Sequence, residues 1–368
     1  MARQHRNPPT TAEMIQVAHM FYGKEALRKS EIAAQLGKSN QWVGRTLNEA
    51  RRVGLVKIQI PETLESDLHD KLRAKFPHIK DALIVSVEPT ANPMAVRPLP
   101  KSPSPFGPRP DAELLKRFAV VAAEYFDRIV DQWGDRPLRV GVTGGETLLE
   151  FANAIPDRLR EQVQFCPTAL VGRGRVMDSA YHVDAVAIAT ILWARSGRLP
   201  NHIHYATVPP YDTKAREGNA IKFIQESLAK IAAMPAIKSV VKEMDAIDVA
   251  FAGIGKVNST GRLTMTCLLR PVIKTEDLLD EGAIADFCYS LIDENGRGRD
   301  RWRFFLTAGH YSDHPGLAFF QRMVKTGKKV VAIVGPGKVH AVIATLKAEV
   351  FNVLITDSET VKEVLKYA

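Results

Sequence analysis

Cysteine is scarce: 368 residues hold only Cys166, Cys267 and Cys288. An odd, sparse set offers neither a disulfide framework nor a CxxC metal pair. It points to a reducing compartment, and the cytoplasm is the expected location. Long apolar runs are also missing. The longest, Val183 to Ala194, is interrupted by Asp184 and is too short to cross a bilayer. The opening stretch MARQHRNPPT is polar, so no secretory signal is expected. No HExxH helix, no Ser–His–Asp motif and no repeat of fixed period occurs. His202 and His204 stand two apart and would share one side of a strand, but no obvious third ligand accompanies them. No metal and no cofactor is therefore expected.

Hydrophobic residues make up 45% of the chain and charged residues 25%, which excludes a disordered or fibrous protein. The length suits two or three domains with a full core and no disulfides. The net charge of +9 is unevenly spread. Residues 1–61 carry ten Lys or Arg against four acids, a local +6, and the other 307 residues carry +3. This asymmetry suggests a small basic module joined to a nearly neutral body.

Residues 89–110 contain eight prolines in 22 positions. Proline lacks an N–H and fixes φ, so the stretch is a linker or surface loop, with a ligand for a proline-recognising groove as the alternative. Upstream, helices are expected at 13–23, 30–36, 40–53 and 64–76, and strands at Leu55–Ile60 and Ala82–Val87. Downstream, Val- and Ile-rich runs alternate with helical stretches. The expected strands are Leu138–Val142, Val163–Val171, Ile203–Thr207, Ile247–Gly253, Arg303–Leu306, Lys329–Val334 and Asn352–Thr356. The expected helices are 146–154, 181–195, 214–233, 314–326, 337–348 and 358–367. Such alternation implies an α/β fold, a doubly wound and mostly parallel sheet with helices on both faces. Ligands bind such sheets at the carboxyl ends of the strands.

The basic module reads LRKSEIAAQLGKSNQWVGRTLNEARRVGLVKIQI from Leu27 to Ile60. Ser30 can cap one helix, with Ile32, Ala33 and Leu36 facing inward. Gly37 can take the left-handed conformation that ends it. Ser39 can cap a second helix, which turns Val43 and Leu47 inward. The pattern is a helix-turn-helix, whose second helix fits the DNA major groove. The outward face of that helix carries Asn40, Gln41, Gly44, Arg45 and Asn48, and amide and guanidinium groups can read base edges. Arg51 and Arg52 suit phosphates or the helix dipole. Trp42 either packs on the first helix or touches backbone sugars. Leu55–Ile60 would be a wing strand.

The run IAAQLGKSNQWVGRTLNEARRVGLVKIQI resembles the DNA-binding domain of the SorC (SorC/DeoR-type) family of bacterial transcriptional regulators. Four later segments are similar to that family in the same order: RVGVTGGETLLEFANAI, AFAGIGKVNS, EGAIADFCYSLIDENGRG and KKVVAIVGPGKVHAVIATLKAEVFNVLITDSETVKEVL. The resemblance covers nearly the whole chain except the Pro-rich stretch. It implies a Rossmann-like body akin to ribose-5-phosphate isomerase and glucosamine-6-phosphate deaminase. It further implies a sugar, polyol or sugar-phosphate effector, operator DNA as partner, and a homo-oligomer, commonly a tetramer. On this basis residues 1–61 are the DNA-binding domain, and 62–368 the effector-binding and oligomerisation domain.

Thr143-Gly144-Gly145-Glu146-Thr147 leaves a strand and opens a helix. Glycines let backbone N–H groups approach an anion at the helix N-terminus, and both threonines add hydroxyls. Glu146 stands where the family often has Arg or Thr. Arg173 and Arg175 lie beside glycines as an anion clamp or as two solvated arginines. His182 and Asp184 either meet ligand hydroxyls or form an ordinary helix cap. The resemblance puts Gly255 in a GIG loop and Asp286 in a GxxxD loop at the pocket, where a carboxylate suits hydroxyls. It also puts Lys338, as a point charge for phosphate, in GPGK where the family often has GG-x-x-K. Arg262 and Arg270 are weaker candidates. The related isomerases use a carboxylate as general base, a role open to Asp286 or Glu146. An attached DNA reader instead implies a sensor with no catalytic residues, which needs only differential binding between two states.

Overall fold

The computed structural model describes residues 9–22, 27–53, 55–56, 66–87, 112–133, 136–155, 165–170, 184–195, 204–205, 220–257, 275–299, 307–308 and 316–368. The chain divides into two compact units, Met1–Pro61 and Glu62–Ala368.

The first unit is built on α1 (Thr11–Tyr22), α2 (Lys29–Leu36) and α3 (Asn40–Arg52). Local side chains set each helix start. Thr10 and Glu13 form a reciprocal box: Glu13 Oε2 accepts from the Thr10 N–H at 2.8 Å, and Thr10 Oγ1 accepts from the Glu13 N–H at 3.2 Å. In α2 Glu31 reaches back to the Arg28 N–H at 2.6 Å. That bond starts α2 at Lys29, so Ser30 lies inside the first turn and is not the cap expected of it. Gly37 is left-handed at φ 61° and ψ 30°, and the Lys38 N–H donates to Ala33 O at 2.9 Å, closing the helix end. Ser39 Oγ accepts from the Trp42 N–H at 3.1 Å and so caps α3. Val17, Ile32, Ala33, Val43 and Leu47 are buried together, with Trp42 and Leu36 packed at their edge. Leu55 and Val56 form a bend, and the rest of the expected wing strand lies outside the described residues.

The second unit is a sheet wrapped in helices. Its strands are β1 (Asp81–Val85), β2 (Leu138–Val142), β3 (Phe165–Ala169), β4 (Val249–Lys256), β5 (Ala283–Phe287), β6 (Ser290–Asp293), β7 (Lys329–Ile333) and β8 (Val353–Asp357). The main order is β1-β8-β7-β4-β2-β3, parallel throughout, and β5 and β6 form a hairpin attached antiparallel to the far end of β4. Runs such as Val330–Ile333 and Val353–Asp357 are buried along their length, as strands covered on both faces must be. The helices are α4 (Ser66–Lys75), α5 (Ala112–Asp131), α6 (Glu146–Ala154), α7 (Ala185–Arg195), α8 (Ala220–Ala232), α9 (Pro235–Asp245), α10 (Thr275–Asp280), α11 (Leu317–Lys325), α12 (Val339–Lys347) and α13 (Ser358–Tyr367).

Aromatic side chains lock helices to the sheet. Phe251 of β4 stacks on Phe151 of α6 at 4.5 Å and meets Phe126 of α5 edge-on at 5.6 Å. Phe287 of β5 meets Phe320 of α11 edge-on at 5.0 Å, which ties the hairpin to the body.

The sequence expectation omits α5, α9 and α10. Its strand at Arg303–Leu306 lies outside the described residues, as does the Pro-rich stretch. One expectation is wrong in kind. The GxxxD segment is not a loop, because Ala283–Phe287 is the strand β5 and Asp286 pairs with Gly255 of β4. Its alternating burial, inward at Ala283, Ala285 and Phe287, suits a strand against a core.

Candidate functional site

β2 and β4 are neighbours whose chains run on in opposite directions, β2 toward β3 at one edge and β4 toward β7 on the other side. This is a topological switch point, where the loops diverge and leave a crevice at the carboxyl ends of the strands. Three sequence-predicted segments come together there: Thr143–Glu146 after β2, Gly255 at the end of β4, and Lys338 after β7.

Thr143 is buried, and its hydroxyl accepts from the Gly253 N–H at 3.4 Å. It ties the β2 loop to β4. Gly145 adopts φ 130° before α6, a conformation that L side chains rarely take. No side chain caps that helix, which begins just after the end of β2, with Gly144, Glu146 and Thr147 around its start.

Asp286 reaches the crevice from β5. A Cβ on Gly255 would lie 2.8 Å from Asp286 Oδ2, so glycine is what lets the carboxylate lie flat over β4. Oδ1 is buried and has no hydrogen-bond partner among the described residues. Burial pushes this carboxyl up to about 7, against the opposing pull of the Lys338 charge and the Tyr289 N–H.

Lys338 donates from Nζ to Ile254 O at 2.6 Å. Burial lowers its pKa, Asp286 and Glu146 favour its charged form, and Lys256 disfavours it. Lys256 in turn donates from Nζ to Gly337 O at 3.1 Å. Each lysine thus holds a carbonyl of the other's segment, a reciprocal latch between the end of β4 and the β7–α12 loop. Sequence reasoning missed Lys256. Its signal was available, a lysine directly following GIG at a strand end.

The β5–β6 turn is held under strain. Cys288 at φ 50° and Tyr289 at φ 61° are consecutive left-handed residues without glycine. Cys288 is buried beside Leu170, and burial pushes its thiol up.

Other candidates are placed differently. Asp184 Oδ1 accepts from the Ala187 N–H at 2.6 Å, so this carboxylate caps α7. His204 bridges β3 at Thr168 and has Nε2 3.7 Å from Glu243. Arg173, Arg175, His182, Arg262 and Arg270 lie outside the described residues. No group of three His, Cys, Asp or Glu that could hold a metal occurs among the described residues. Among them, too, no helix is long and apolar enough to cross a membrane.

On α3 of the first unit, Asn40, Gln41, Arg45 and Asn48 are exposed, whereas Val43, Thr46, Leu47 and Ala50 are buried. The helix therefore offers a polar face directly opposite its packing face. Trp42 packs at the edge of the small core, with the Lys38 ammonium 4.8 Å from its ring. Arg51 and Arg52 close the helix.

Solved structures share this fold. The sorbitol operon regulator SorC from Klebsiella pneumoniae superposes with a TM-score of 0.62 at 17% identity, covering 98% of this chain and 100% of that one. A DeoR family transcriptional regulator from Listeria monocytogenes gives 0.56 at 17% identity, covering 81% of this chain and 98% of that one. A transcriptional regulator from Streptococcus pneumoniae gives 0.53 at 13%, covering 82% and 96%. Residues 62–366 match the Sugar-bind family, described as "Putative sugar-binding domain". With the five sequence landmarks of SorC-type regulators carried on this fold, the chain belongs to the Sugar-bind family.

Proposed function

We propose that the protein is a sugar-sensing transcriptional regulator of carbohydrate metabolism, working in the cytoplasm as a homo-oligomer, with a tetramer as the expected state. Residues 62–368 bind a sugar, polyol or sugar-phosphate effector in the crevice between β2, β4 and β7. The observation that carries this reading is the buried carboxyl of Asp286, whose Oδ1 has no hydrogen-bond partner among the described residues, at the switch point of a family sugar-binding domain. Such a group stabilises a ligand hydroxyl that satisfies it. Thr143, Gly144, Gly145, Glu146, Thr147, Gly255 and Lys338 complete the proposed site, and the sequence adds Arg173, Arg175, His182 and Asp184 as further candidates.

Residues 1–61 bind operator DNA. The α3 helix enters the major groove, Asn40, Gln41, Arg45 and Asn48 meet base edges, and Ser39, Trp42, Arg51 and Arg52 serve the backbone contact. Effector binding biases the assembly between two arrangements with different operator affinity. Nothing in the family match favours the isomerase or deaminase alternative, since the matched solved structures are transcriptional regulators.

The test is binding of the purified chain to its own promoter DNA against random DNA at moderate salt, with and without sugar phosphates. Arg45→Ala is expected to cost about 1–3 kcal/mol of operator preference, while Arg51→Ala weakens all DNA alike and lowers the salt slope by about one. Equal affinity for promoter and random DNA in the wild type would sink the reading.

A further inference from the structure

The charges of the crevice balance one another. Lys338 donates from Nζ to Ile254 O at 2.6 Å, and two carboxyl groups, Asp286 and Glu146, both favour its charged form. Lys256 supplies a second cation, but it is exposed and its ammonium is held by Gly337 O at 3.1 Å. Among the described residues, two cations therefore stand with two carboxyl groups. The start of α6 is taken as well. Glu146 is its first residue, so the helix end that would draw an anion already carries a negative charge. A dianion brought to Lys338 comes under the same Glu146 charge that stabilises the lysine.

The hydrogen-bonding groups suit hydroxyls. Asp286 Oδ1 is buried and has no hydrogen-bond partner among the described residues. A hydroxyl can donate to that oxygen, whereas a phosphate dianion has no proton to give. Ile254 O takes one of the three N–H donors of the Lys338 ammonium, and the others can serve a hydroxyl oxygen. Each hydroxyl of a polyol both donates and accepts, so one ligand can meet Asp286, Glu146 and Lys338 together.

We infer that the effector is an uncharged sugar or polyol, and that Glu146 is the residue that excludes its phosphorylated form. This rests on the sensor reading and narrows its ligand class. The selectivity has two sources. A like charge is set against the wrong ligand, and a buried acceptor stays unsatisfied unless the right one supplies a hydroxyl.

Calorimetric titration of the full chain tests this with paired probes: glucitol and glucitol 6-phosphate, fructose and fructose 6-phosphate, ribose and ribose 5-phosphate. The wild type is expected to bind its preferred neutral probe about tenfold or more tightly than the phosphate of the same probe. Glu146→Gln keeps the size of the side chain and removes its charge. It should shift the ratio of the two affinities about tenfold toward the phosphorylated probe. Glu146→Asp should hold that ratio near the wild-type value. A wild type that prefers a phosphorylated probe overturns the proposal while the sensor reading stands. Equal losses for both probes in Glu146→Gln, which leave the ratio unchanged, also overturn it, since the side chain would then only support the start of α6. A wild type that binds none of the probes, at an unaltered thermal midpoint, overturns the sensor reading and the neutral ligand together.

Discussion

The two units solve the problem of holding a functional face by opposite means. In the first, five buried apolar side chains from three short helices make the core, and a side-chain or glycine device ends or begins each helix. In the second, a broad sheet buried on both faces carries the site, and the functional groups hang from strand ends that the sheet itself fixes. A core of the first kind supplies only about 3–5 kcal/mol, so local caps decide whether it folds. A core of the second kind has stability to spare and can hold a buried carboxyl with one unpartnered oxygen and a strained turn. The face proposed to read DNA should therefore be easily disrupted, and the proposed sensing face should resist disruption.

Two matched truncations test that contrast most severely. Leu47→Ala in the small core and Phe251→Ala in the sheet should cost about 2–5 and 3–5 kcal/mol respectively. Hydrogen exchange on the full chain should then show α1–α3 exchanging freely in the first variant and operator binding lost. In the second, the body should melt at lower temperature yet stay folded. Survival of operator binding in Leu47→Ala would erase the distinction.

Next in size is Lys338→Ala, which removes the latch to Ile254 and one cation of the crevice. Effector affinity should fall by about tenfold or more, with operator binding in the absence of effector unchanged. Joint loss of both would mean the body had misfolded.

A pH experiment sharpens the same difference. Asp286 titrates at about 7 in the folded body, well above its ordinary value of 3.8, because burial disfavours its charge. The folded state therefore holds a proton that the unfolded chain releases, and stability is lost as pH rises from about 4 through 7. Asp286→Asn should remove that loss, so its thermal midpoint should gain on the wild type at pH 8 and not at pH 4. A constant difference would show that the carboxyl is not shielded from water. The smallest effect is expected from Ser39→Ala, about 1 kcal/mol against the small unit through the lost cap on α3, read as earlier exchange of the α3 amides.

How much was legible follows the range of the interactions. The Gly37 turn and the Ser39 cap could be read directly, because their partners lie within a few residues. The helices 146–154 and 358–367 match α6 and α13 end for end. The omitted α5 carried its own signal, with Leu114, Leu115, Phe118, Val121, Ala122, Tyr125 and Phe126 at helical spacing, and so did α9, with Pro235 at its start. The β5–β6 hairpin gave no such signal. Its turn is Cys288-Tyr289, and neither residue type marks a left-handed turn. Without that turn, Asp286 reads as part of a loop.

The sequence by itself determined a basic helix-turn-helix, the alternation that demands a parallel sheet, and the residue types available at each strand end. Only the tertiary structure decided which of these meet. Lys338 finds Ile254 O across 84 positions of chain, Lys256 finds Gly337 O across 81, and Asp286 lies over Gly255 because β5 pairs antiparallel with β4. Caps and periodicities are short-range and leave their mark in neighbouring letters. The charge pattern of the crevice is set by strand order, which no local stretch of sequence contains.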